Sequence, residues 1–148
     1  MKALVVYDSV YGNTEQVARA IGGALGGEAR VVSASAVVSA DLLSLDLLIV
    51  GAPTQGGRGT LAALQFLGGL SRETVRGLKV AAFDTRISAR WVGIFGYAAG
   101  KIAKNLMAKG GHLAVPPEGF IVKGKEGPLK EGELERAAWA KMVGGIQQ

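Results

Sequence analysis

Residues 5–21, VVYDSVYGNTEQVARAI, constrain this chain more than any other stretch. An apolar run ends at Tyr7, a turn rich in hydroxyl groups and glycine follows, and the spacing predicts an amphipathic helix from Thr14. The first amides of a helix lack internal acceptors, and the aligned peptide dipoles place about half a positive charge there. A phosphate seated in such a turn therefore needs no lysine. Ser9, Asn13 and Thr14 add short side-chain donors, and Gly12 lets the backbone approach with no Cβ in the way. The alternative is an ordinary strand-to-helix turn in which Asn13 and Gln16 form a capping pair.

Apolar blocks alternate with helical patterns along the rest of the chain. Candidate strands cover residues 3–7, 29–33, 45–51, 78–84 and 112–115, the last extending through 120–123. Several are nearly continuous in Val, Leu, Ile and Ala, as strands buried on both faces are. Helical spacing links Val17, Ile21 and Leu25, then Leu61, Leu64 and Leu67, then Ala98, Ile102 and Leu106, and finally Leu134, Ala138 and Met142. Gly26-Gly27 and Gly110-Gly111 stand where left-handed C-caps are expected, and residues 34–44 have room only for a short helical turn. This alternation predicts a parallel sheet covered by helices on both faces.

The chain has 148 residues, enough for one domain, and no second composition regime divides residues 1–148. It has no cysteine and one histidine, which excludes disulfide and thiolate chemistry and leaves no credible metal site. The apolar run in MKALVVY is too short for a secretory signal, and Asp46 interrupts the best membrane-span candidate, so the expectation is a cytoplasmic protein with no membrane partner. The net charge of +5 comes from scattered residues with few aromatics among them. It reads as a solvated surface or a match for an acidic partner, rather than a nucleic-acid site.

The 5–21 stretch resembles the flavodoxin signature, with aliphatics at positions 5 and 6, then Tyr7, Ser9, Gly12, Thr14, Ala18 and Ile21 at the family's spacing. The resemblance implies an α/β fold: a doubly wound, five-stranded parallel sheet in the order 2-1-3-4-5, with helices on both faces. That order, with flavin mononucleotide (FMN) at the switch point between strands 1 and 3, is the flavodoxins' own and is not read from periodicity. Ser9, Val10, Tyr11, Gly12, Asn13 and Thr14 would hold the phosphate. The segment GAPTQGGRGT at 51–60 resembles the family's G-[SA]-P-T-x-x-G loop, so Pro53, Thr54, Gln55, Gly56 and Gly57 would line the ribityl chain and flavin N5. By position, 84–96 (DTRISARWVGIFG) resembles the third flavin loop, with Asp84, Thr85, Arg86 and Trp91 bordering the ring. The familiar acidic, Tyr-containing pattern is absent there. Trp91 is either a flavin platform or a loop anchor in the core, and the Arg58 stem is a substitute for the second missing ring.

The implied function is noncovalent FMN binding and single-electron shuttling between redox partner proteins. The other readings are a flavin-dependent reductase of quinones and a non-redox interaction module on the same fold. Arg86, if it points at the ring, would favour the anionic reduced flavin by ~3 kcal/mol at about 6 Å and an effective dielectric near 20. That is on the order of 0.1 V upward; otherwise Arg86 and Arg90 face solvent or an acidic partner. Competing motifs fail. A receiver domain would need an acidic pair at Asp8 and an acceptor Asp where Gly51-Ala52-Pro53 stands. Residues 96–101 (GYAAGK) are one short of a P-loop, and Ile102 replaces its Ser or Thr. A Ser9–His112–Asp84 set exists only on paper, without a nucleophile elbow.

Overall fold

The computed structural model describes residues 2–55, 59–88 and 97–143. The apolar runs become β1 (Lys2–Tyr7), β2 (Glu28–Ser33), β3 (Leu47–Pro53), β4 (Lys79–Ile87), β5 (His112–Leu113) and β6 (Glu118–Val122). They form one parallel sheet in the order β2-β1-β3-β4-β5, with β6 pairing the later part of β4. Side chains alternate between two cores. Leu4, Val6, Leu48, Val50, Val80 and Ala82 face α2 (Leu61–Gly69), α3 (Arg72–Val75) and α4 (Ala98–Ala108). Val5, Tyr7, Leu47, Ile49, Ala81 and Phe83 face α1 (Asn13–Leu25), α5 (Glu133–Arg136) and α6 (Trp139–Val143). The predicted doubly wound order is the observed one.

Three elements differ from expectation. The last strand is split in two. Pro116 and Pro117 have no amide hydrogen to give to a ladder, and the edge uses two more residues than β4 does between the pairs Leu113–Val80 and Glu118–Phe83. In α2 the buried residues are Ala63 and Leu67, while Leu61 and Leu64 are exposed. Of the leucine spacing, only Leu67 falls on the buried side. Near the C-terminus Ala137, Ala140 and Val143 are buried instead of Leu134 and Ala138, and two short helices replace one. At the start of this segment the Glu133 carboxylate turns inward to accept the Ile121 N–H and the Arg136 guanidinium, each at 2.6 Å, which makes it a buried tie.

Gly26 and Gly110 do end α1 and the α4 turn at positive φ, and residues 34–44 hold two short 3₁₀ turns. In the second turn Asp41 accepts the Val38 N–H at 2.9 Å and pairs with Arg30. The Val38 hydrogen bond first, and Arg30 next, hold the Asp41 carboxyl below its ordinary range. A depressed folded-state pKa stabilises above the unfolded value, about 3.9, and that stability is lost as pH falls through the folded value. Asp41→Asn should therefore flatten the acid limb of a stability–pH curve below about pH 4 and leave its slope at neutral pH unchanged.

The row Tyr7–Gly51–Phe83 crosses β1, β3 and β4 in register. The Phe83 ring lies over Gly51, and its other side meets Phe120 edge-on at 6.0 Å. A Cβ at Gly51 would fall inside the envelope of that ring. Gly51→Ala should lower unfolding free energy by about 1–3 kcal/mol, measured by urea titration.

Candidate functional site

β1 delivers the chain to Ser9, whose hydroxyl accepts the Gly12 N–H at 3.0 Å. Gly12 takes φ +92°, a conformation that costs glycine little, and α1 starts at Asn13, one residue before the predicted Thr14. No side chain caps this helix, so the alternative of an Asn13–Gln16 capping pair is not formed. Asn13 is the first helical residue, and its side-chain Nδ2 instead donates to the Glu126 carbonyl at 3.1 Å. The amides of Asn13, Thr14 and Glu15 precede the first intrahelical bond, and nothing lies within 4 Å of where a Gly12 Cβ would be. Thr14 is buried and shares a 2.8 Å hydrogen bond with the Thr85 hydroxyl, which ties the first turn to β4.

The second turn is anchored in the same way. The Thr54 N–H donates to the Thr85 carbonyl at 2.9 Å, and its hydroxyl accepts the Ala98 N–H at 3.0 Å. Thr54 thus fastens the start of α4 and not the first turn; the tie to the first turn runs through Thr85. Pro53 ends β3, and Gln55 is exposed beyond it. Gly56, Gly57, Arg58, Arg90 and Trp91 lie outside the described residues.

The expected third loop starts later than residue 84. β4 continues through Asp84, Thr85 and Arg86 to Ile87, because β3 pairs it on one side through Thr85 and β6 on the other through Ile87. Asp84 is fully buried. Its carboxylate accepts Nε and Nη2 of Arg86 at 2.7 and 2.8 Å, and the Ala99 N–H in the first turn of α4 at 2.9 Å. Arg86 in turn lies over the Tyr97 ring, 3.5 Å from its centroid, and fills the space a Cβ on Gly119 would occupy. Arg86 is therefore half of a neutralised pair and not a lone cation, so it does not supply the upward shift of about 0.1 V. Asp84 is the buried support of Arg86.

These turns enclose a cavity of about 520 Å³ at the carboxyl ends of β1, β3 and β4. Ser9, Val10, Tyr11, Asn13 and Thr14 line one end, followed by Pro53, Thr54 and Gln55, then Thr85 and Arg86. Of the other predicted residues within the described part, Gly12 shapes the backbone and Asp84 sits behind Arg86. Ile87, Val122 and Lys125 also line the cavity and were not expected. The signal for Lys125 is the turn GKEGP at 124–128, which follows a strand as the other site turns do, but the switch-point rule directs attention to strands 1, 3 and 4. The paper triad is dispersed. His112 pairs with Lys79 at the opposite end of β4, five residues or about 16 Å along the strand from Asp84.

Removing one partner of a buried, hydrogen-bonded ion pair leaves the other charge uncompensated. Asp84→Asn should cost about 3 kcal/mol of stability, the lower part of the usual range because Arg86 retains some exposure. Equilibrium denaturation reads this directly.

Comparison with known proteins agrees with this geometry. The fold matches a flavodoxin from the domain Archaea with a TM-score of 0.82 and 23% identity over 100% of both chains. It matches oxidised flavodoxin 2 from Bacillus cereus with a TM-score of 0.80 and 23% identity, over 99% of this chain and 100% of that one. Rubredoxin oxygen:oxidoreductase from Desulfovibrio gigas contains the same fold, at a TM-score of 0.74 and 19% identity over 98% of this chain but 35% of its own. Among curated proteins none matches in sequence. The family model for flavodoxin matches residues 5–139, so the chain belongs to the flavodoxin family, whose members bind FMN and carry electrons.

Proposed function

We propose that this protein is an electron carrier that holds FMN in the cavity at the ends of β1, β3 and β4 and passes single electrons between redox partner proteins. The observation that carries the reading is the convergence of three separate chain segments on one 520 Å³ cavity, a volume within the usual range of about 300–1,000 Å³ for small-ligand sites.

The residues fit the group. At one end the Ser9 and Thr14 hydroxyls, the free first-turn amides of α1 and the open space beside Gly12 suit a phosphate dianion. Ser9, Val10, Tyr11, Gly12, Asn13 and Thr14 would hold that end. Pro53, Thr54 and Gln55 would border the ribityl chain, and Thr85 and the Arg86–Asp84 pair would border the ring. Bound FMN supplies the one-electron chemistry that no side chain here provides. The chain binds it, orients it and sets how much of it meets solvent.

Val10 and Tyr11 are about half exposed on the rim of the cavity, and the chain carries a net +5. Both support docking by partners with acidic surfaces around an apolar contact. Among the described residues no helix is long and apolar enough to cross a membrane.

Titration of flavin-free protein with FMN should give a one-to-one complex with a shifted visible spectrum, and potentiometry should resolve two one-electron steps. Absence of FMN binding would refute the reading. Rapid turnover of a quinone with a nicotinamide donor would replace it with the reductase alternative.

A further inference from the structure

The turn that follows β6 reaches across to the phosphate end of the cavity and is fastened there. The Gly127 N–H donates to the Gly124 carbonyl at 3.0 Å, making Lys125 and Glu126 the central residues of the turn. The Lys123 N–H closes its base on the Pro128 carbonyl at 2.8 Å. Its tip is held by the 3.1 Å hydrogen bond from Asn13 to the Glu126 carbonyl. Gly127, at φ +101°, lies so close to the Asn13 side chain that a Cβ there would collide with it. The first residue of α1 is thereby used as an anchor, and the neighbour of its acceptor, Lys125, lines the same cavity as Ser9 and Asn13. Lys123 is paired with Glu131, whereas Lys125 has no ion pair among the described residues.

Resting on the FMN reading, we propose that Lys125 is a specificity residue for the phosphate of the flavin nucleotide. The first turn offers only uncharged groups to a dianion, and the anchored turn brings the one cation of the 124–128 segment to that end of the cavity. A cation on a half-open rim attracts a dianion through solvent, so its contribution is modest and strongly screened by salt. It acts on FMN and not on riboflavin, which has the same ring and ribityl chain but no phosphate. Lys125 would therefore widen the preference for the phosphorylated form.

The test compares dissociation constants of FMN and riboflavin for wild type, Lys125→Gln and Lys125→Arg at low and high salt. Lys125→Gln should weaken FMN roughly three- to fivefold at low salt, and the gap should close at high salt. Riboflavin affinity should not change, and Lys125→Arg should restore FMN binding. Thermal melts of the flavin-free variants should match wild type, because the side chain is exposed. An FMN constant within about twofold of wild type at low salt, or an equal loss for both flavins, would overturn the role of Lys125 while leaving the flavin site intact. Failure of wild type to bind either flavin would remove the flavin reading itself and this assignment with it.

Discussion

Parallel pairing of β1, β3 and β4 is the constraint on which the site depends. Tyr7, Gly51 and Phe83 lie in one row, from which β1 leaves the sheet at once, β3 after two more residues at Pro53 and β4 after four more at Ile87. The site residues take their positions from that row: Asp8 and Ser9 just beyond β1, Thr54 just beyond β3, and Thr85 still within β4. The row holds because glycine occupies its centre and admits an aromatic ring from the neighbouring strand. Burial of such a ring stabilises by about 1.5–3 kcal/mol, and here it also sets the spacing under the site.

Polar groups then join what the core has aligned. Thr85 is the junction: its hydroxyl meets Thr14 and its carbonyl accepts the Thr54 N–H, so one residue of β4 links two turns. Beside it, Asp84 would be costly if it were left buried alone. It is compensated by two guanidinium hydrogens and a helix N-terminal amide, the arrangement a buried carboxylate needs. Tyr97 and Gly119 close around the guanidinium, so the pair is held by shape as well as charge.

Much of this was legible in the residues. Strand periodicity gave the inner strands within a few positions, and Ser9, Thr14, Pro53, Thr54, Thr85 and Arg86 all line the cavity. What was not legible depended on partners distant in sequence. Thr85 and Arg86 look like loop residues until β6 supplies the second neighbour that keeps them in a strand. Asp84 and Arg86 stand two apart, the spacing that puts side chains on one face of a strand, yet their pairing became visible only once the strand was known to continue. Leu61 and Leu64 satisfied the helical period but face outward, because period alone does not say which side meets the sheet. The acceptor role of Glu133 toward Ile121 spans twelve residues and so has no local signature.

The split edge of the sheet has a further consequence. An unbroken outer strand exposes a row of unpaired amides and carbonyls that another extended chain can copy. Here two prolines and the extra residues around them interrupt that row, so its two pieces, of two and five residues, do not form one straight template. The irregularity that obscured the last strand in the sequence thereby guards this border against self-association into extended sheets.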